Sequence, residues 1–314
     1  MSFKMVRLAV SYSVAAMSLL SVTPALAVDW AKVPGKDITL FYPGQLSWEM
    51  LLTQAEHSGA DKFREGKNCR QCHEGEEAAS GKLLMADKNS EREPIAGKPG
   101  SVKANVKTAH DGENLLIHLE FAAGEQPDAG MEKDFPVKVA VMIDDGKVAE
   151  IARGGCWAMC HDNLARMPSA NGADTTKYLA RSRVKVGRTG GDEVKPAEDI
   201  AKFLADGAYL EYWQARLKPD AAPVVVDGTV LDKRQENPAA QVSATSSFAD
   251  GKWAVTFSRK LKAGAGYKDF AAGPTYTVGF AIHAGHAAQR FHYVSLEKTL
   301  VVDLGKADFV ASRN

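Results

Sequence analysis

Val102-Lys-Ala-Asn-Val-Lys107 and Leu115-Leu-Ile-His-Leu-Glu-Phe121 decide the fold. In the first run Val102, Ala104 and Val106 alternate with Lys103, Asn105 and Lys107. In the second, Leu115, Ile117, Leu119 and Phe121 take every other position. A period of two puts apolar side chains on one face of a strand. Asp111-Gly112-Glu113-Asn114 supplies the turn, so the pair predicts a hairpin with one buried face. Working outward, further strand-like runs occur at 137–143, 209–217, 224–231, 253–259, 276–283 and 292–303, separated by Gly, Asp and Pro turns. This pattern predicts a mainly β chain built as an antiparallel β-sandwich. Helix is expected at 197–204, around 156–161, and from Ser47 to Ala55, where Trp48, Leu51, Leu52 and Ala55 make an apolar stripe. Residues 90–100 read as a linker. From Asp29 to Pro43 little periodicity is visible, and His118 reads as a strand residue facing solvent.

The chain starts with Lys4 and Arg7, an apolar stretch from Leu8 to Leu20, and Ala25-Leu-Ala27. That order reads as an export signal cleaved after residue 27. An uncleaved anchor is the rival reading, weakened by Ser11, Ser13, Ser18, Ser21 and Pro24. A mature chain in the periplasm is expected. The whole sequence has 39 basic and 39 acidic residues. This balance argues against nucleic acid or an anionic membrane as the main partner.

An exported chain with four cysteines would ordinarily hold two disulfides. Here all four fall in two clusters that each end in histidine, Cys69-Arg-Gln-Cys72-His73 and Cys156-Trp-Ala-Met-Cys160-His161. C-x-x-C-H is the attachment signal for haem c: two thiols add to the porphyrin vinyl groups, and the adjacent histidine ligates the iron. The second cluster has one more spacer residue, which a helical turn can absorb because positions four apart share a face. Three other readings compete. A disulfide inside each cluster would be strained and would leave the histidines without a role. A thioredoxin-like site needs a βαβ setting that is absent around residue 69. A zinc site drawing on both clusters has suitable ligand types. Haem explains every residue of both clusters and is the reading adopted. It makes Cys69, Cys72, Cys156 and Cys160 the attachment residues of two haem c groups, with His73 and His161 as iron ligands.

For the sixth ligand of the first haem, His57 is favoured, twelve residues before Cys69 and near the end of a predicted helix. His110 and Met85 are alternatives. For the second haem His292 is favoured, with His283, His286 and Met167 as alternatives.

The later part of the chain resembles the haem-binding domain of the gamma subunits of ethylbenzene dehydrogenase and dimethyl sulfide dehydrogenase, and related periplasmic cytochromes. The resemblance rests on Val139-Ala-Val-Met-Ile-Asp-Asp-Gly146, Leu204-Ala-Asp-Gly-Ala-Tyr-Leu-Glu-Tyr-Trp-Gln-Ala-Arg216, Trp253-Ala-Val-Thr-Phe-Ser-Arg259 and Val278-Gly-Phe-Ala-Ile282 running on to Val294-Ser295. It covers about residues 97–305. It implies a β-sandwich with haem at one side and electron exchange with a larger molybdenum enzyme. Those subunits hold haem b through methionine and lysine. Here a C-x3-C-H lies where the methionine is expected, and His292 where the lysine is expected. A covalent haem with two histidine ligands is therefore implied, and the molybdenum-enzyme partnership does not carry over directly.

The expected organisation is a signal at 1–27, a haem c segment at 28–96 and a sandwich with the second haem at 97–314. The expected function is electron transfer, with redox proteins as partners: a quinol-linked or periplasmic donor, and a terminal reductase or molybdenum enzyme. A peroxidase-like dihaem enzyme would need one open iron site. A redox or gas sensor is the third reading.

Overall fold

The computed structural model describes residues 28–44, 51–55, 57–86, 97–124, 134–158, 178–185, 193–284 and 292–314. Among the described residues thirteen strands form one hydrogen-bonded system. In chain order they are β1 (Gly35–Phe41), β2 (Ser101–His110), β3 (Asn114–Ala122), β4 (Val137–Asp144), β5 (Leu210–Leu217), β6 (Val224–Val230), β7 (Arg234–Glu236), β8 (Ser243–Ala249), β9 (Lys252–Lys260), β10 (Thr275–His283), β11 (Tyr293–Val294), β12 (Lys298–Val302) and β13 (Phe309–Arg313).

The main path runs β7-β6-β5-β4-β10-β11-β1-β2-β3-β9-β8, and β12 and β13 bridge from β10 back to β2. The path folds over on itself. Side chains of β3 and β9 (Leu115, Ile117, Leu119, Val255, Phe257) meet those of β4 and β5 (Val139, Val141, Ile143, Trp213, Ala215) in one buried cluster. Trp213 and Phe257 face each other across it at 6.1 Å. This is the expected sandwich. The hairpin turn forms because Asp111 Oδ1 accepts from the backbone N–H of Glu113 and Asn114 at 2.8 and 2.7 Å, while Gly112 takes φ +98°.

One end of the interior is polar. Glu211 and Arg259 occupy inward positions with side chains fully excluded from solvent, paired at 2.6 Å. The indole of Trp213 also donates to Glu211 at 2.6 Å. These residues lie in two of the stretches that carry the family resemblance, so that resemblance records how the sandwich end is closed.

Three expectations need correction. The stretch at 29–43 contains β1, which pairs with β2 along its whole length and with β11 at Phe41↔Val294. His118 does not face solvent: it is 6 % exposed, because Trp30 stacks on it at 4.6 Å and Thr256 bonds its Nδ1 at 2.8 Å. The end of the 90–100 linker is packed: Lys98 is buried, donates to the Ala284 carbonyl at 3.0 Å and sits 4.2 Å from the Tyr293 ring centre.

Candidate haem-binding site

Strand alternation gives β10 two buried faces. Val278, Phe280 and Ile282 point into the sandwich, while Ala281 points outward into a second apolar cluster. Across the outer face Ala140, Ala281, Val294 and Phe41 form a row over four strands. Small side chains make this a shallow apolar bed, and both cysteine segments lie on it: Cys69 and Cys156 belong to the same outer cluster as Leu51, Met142, Ile151 and Leu296.

The second segment reaches the bed through helix α4 (Ala149–Gly154) and a 3-10 turn (Gly155–Ala158). Two glycines allow the approach. A Cβ on Gly279 of β10 would stand 2.8 Å from Cys156 N, and one on Gly155 would stand 2.4 Å from Glu297 N; Gly155 also has φ +60°. No L-residue with a Cβ fits either place without moving backbone. The Gly279 signal was present in the sequence, as an isolated glycine inside a strand pattern. Cys156 Sγ rests 3.8 Å from Met142 Sδ.

The first segment follows α1 (Ala60–Arg64) and contains α2 (Arg70–His73), with α3 (Glu77–Ala86) after it. Cys69 N–H donates to the Arg153 carbonyl at 2.7 Å, so the two cysteine segments are hydrogen-bonded to each other. Arg70 anchors α2 to the connection after β12. Its guanidinium bonds Asp308 at 2.7 and 3.2 Å and Glu74 at 2.6 Å. Asp308 also accepts from Thr299 N at 2.9 Å and from Lys36. Burial alone would raise the Asp308 carboxyl, but Lys36, Thr299 and Arg70 together hold it well below the usual carboxylate range.

His57 and His73 face each other with ring centroids 6.4 Å apart and planes tilted by 35°. Nδ1 of His57 lies 3.2 Å from the Leu51 carbonyl, which can only accept, so this nitrogen carries the proton and Nε2 is left as the donor atom for a metal. Nδ1 of His73 lies 3.4 Å from Glu76 Oε2. Burial lowers the His57 pKa, the Leu51 bond opposes that, and His73 adds to it. A neutral imidazole is the ligating form. An iron about 2 Å from each of two imidazole nitrogens puts the ring centres roughly 6 Å apart. The pair therefore fits a haem iron, directly beside Cys69 and Cys72.

The Cys69 thiol suits thioether formation better than a thiol redox role. Burial, then the nearby Glu297 and Cys72, push the Cys69 thiol up to about 12. A thiol held neutral is a poor redox nucleophile, whereas a thioether carries no charge to desolvate. Cys69, Cys72 and Cys156 are not joined by disulfides.

On the second segment, Cys160, His161, Met167 and His286 lie outside the described residues, as do the signal at 1–27 and residues 47–50 of the helix expected from Ser47 to Ala55; residues 52–55, which are described, form turns and not helix. His283 ends β10 on the outward face, four residues beyond Gly279. His292 precedes β11 opposite it, and the two rings stack at 4.6 Å and 19°. That separation leaves no space for an iron between them, so the two do not form an axial pair with each other. His110 lies at the far end of β2 from Ser101, the residue paired with Phe41. Nine residues of strand span about 30 Å, and His110 Nε2 is bonded to Asp303 at 2.7 Å. Met85 on α3 packs against the sandwich interior. Neither is brought to Cys69. Glu297, Arg70, Asp308 and Arg153 were not singled out from the sequence, because only docking of distant segments makes them part of the site.

Relatives agree with this chemistry. The chain is 36 % identical to cytochrome c-552 of Stutzerimonas stutzeri over 296 residues, 92 % of each chain. It is 31 % identical to cytochrome c-551 of Rhodocyclus tenuis over 274 residues, 86 % of this chain and 92 % of that one. The ethylbenzene dehydrogenase family model matches residues 193–295. A family 9 carbohydrate-binding module from Caldicellulosiruptor kristjanssonii overlays on 62 % of this chain and 66 % of its own at a TM-score of 0.30 and 9 % identity, a likeness too remote to bear on function. The chain belongs to the family of these c-type cytochromes and is related to the ethylbenzene dehydrogenase family.

Proposed function

We propose that this chain is a dihaem cytochrome c that carries single electrons between redox proteins of the periplasm. The first haem is attached at Cys69 and Cys72 with His73 and His57 as axial ligands. The second is attached at Cys156 and Cys160, with His161 and one of His292 and His283 as ligands. Bound haem supplies the one-electron iron couple. The residues do the rest. The opposed His57–His73 pair, at 6.4 Å, is the observation that carries the reading. With His57 and His73 both holding the iron, substrates and small gases would be kept off it, and electron exchange would be the chemistry left to the bound haem. Leu51 and Glu76 orient the rings through their Nδ1 atoms. The outer apolar bed lowers the local dielectric around both segments. Export is supported by the signal-like residues 1–27, and among the described residues no helix is long and apolar enough to cross a membrane.

The enzyme and sensor readings need an open iron. Carbon monoxide titration of the reduced protein separates them: we expect a low-spin spectrum unchanged by the gas, and binding of one equivalent to the unaltered protein would replace electron transfer with peroxidase-like or sensing chemistry.

A further inference from the structure

Glu297 lies between the two cysteine segments and touches both. It follows β11 and is 4 % exposed. Its Oε1 accepts from Arg70 N–H at 3.1 Å, one residue after Cys69. Its backbone N is the atom that Gly155, one residue before Cys156, must clear. Its Oε2 is buried and has no hydrogen-bond donor among the described residues. Glu297 also lines a cleft of about 290 Å³ with Asn68, Arg70, Thr277, Lys298 and Thr299, which gives water a route to it.

We propose that Glu297 is a proton-uptake site coupled to both haems: its carboxylate takes one proton from water in the cleft when one electron reaches the neighbouring iron, and releases it on reoxidation. The inference rests on the dihaem reading above. The balance is one electron from the redox partner to ferric iron, and one proton from solvent to the carboxylate.

The charges facing Glu297 allow this exchange. Arg70 from α2 and Lys298 from β12 are the charges that act on Glu297, while Glu74, Glu77 and Asp308 act on Lys298 and Arg153 acts on the neighbouring Cys69. Arg70 and Lys298 are themselves drawn toward Glu74 and Asp308. Burial dominates and raises Glu297 to about 7, opposed by its own backbone N–H, the Arg70 N–H bond and the Arg70 and Lys298 charges. An electron added roughly 10 Å from such a group at an effective dielectric of about 20 raises its pKa by about one unit more. Coupling is reciprocal, so the same tenfold factor appears in the electron affinity.

The test is a spectroelectrochemical titration from about pH 6 to pH 9 on protein whose haem count has first been fixed by mass. With a one-unit gap, the wild-type potential should fall with rising pH at about half the limiting one-proton slope of about 59 mV per unit. Glu297→Gln should flatten that slope at least twofold. An undiminished slope in Glu297→Gln overturns the proposal. Should the variant fail to mature, the redox-difference infrared spectrum of the wild type decides: a protonated-carboxyl band that appears on reduction and shifts in D2O supports it, and absence of that band overturns it. A count of one haem instead strikes the dihaem reading, and the slope still tests Glu297 beside the haem that remains.

Discussion

The two histidine pairs on the outer face differ by less than two ångström in spacing, and that difference assigns them different work. His57 and His73 stand 6.4 Å apart with both Nδ1 atoms engaged, which leaves a gap the width of a ligated iron. His283 and His292 stack at 4.6 Å. A stack is a neighbour relation, so in the proposed second site at most one of these rings would be a ligand, with the other packed against it. His57, in the turn before α1, and His73, at the end of α2, come from separate segments that hold the rings apart. Two strand ends in register bring His283 and His292 together.

Substitution of each ring in turn should break the comparison most visibly. His57→Ala should turn one of the two haems high-spin and open it to carbon monoxide, leaving the other unchanged. Of His283→Ala and His292→Ala, only one should do the same to the second haem, and the other should only perturb its electron-paramagnetic-resonance signal. If neither does, the sixth ligand comes from His286 or Met167.

Next in size is the seat of the second segment. Gly279→Val puts a side chain 2.8 Å from Cys156 backbone. Overpacking against backbone should cost about 3 kcal/mol or more. Urea melts and haem content should show the loss, with the second haem affected before the first. An unchanged melt would mean that the Cys156 turn does not rest on β10.

The clamp on the first segment is weaker. Asp308→Asn should cost about 1–2 kcal/mol at neutral pH, discounted because Lys36 and Arg70 are partly exposed. The pH dependence follows from the direction of the shift. The folded Asp308 carboxyl lies below its ordinary value of 3.8, so its stabilisation is present above that value and is lost as pH falls through the folded one. Wild type and Asp308→Asn melts should therefore converge in strong acid. The smallest effects belong to the discarded ligands. Met85→Leu should cost less than about 1.5 kcal/mol, and neither it nor His110→Ala should alter the haem spectra.

The strands with one buried face were legible because period-two alternation survives there, as in Leu115–Phe121. β1 was missed because Phe41 and Tyr42 are buried as well as Ile38 and Leu40: covering the outer face removes the alternation. β8, Ser243–Ala249, is a polar edge strand with almost no buried side chains, so no apolar pattern marks it. The cysteine motifs stand out in the sequence by their spacing, and the structure brings His57 to within 6.4 Å of His73. Glu297 and Asp308 were not legible, since they meet Arg70 across 227 and 238 residues of chain, and local sequence carries no trace of such a contact.

The most direct measurement is the intact mass of protein matured in the periplasm, read with its pyridine haemochrome spectrum. The account predicts the mature polypeptide plus two haems, each absorbing as a haem c held by two thioethers. A mass with a single haem, or a spectrum showing one dissociable haem b, would contradict it.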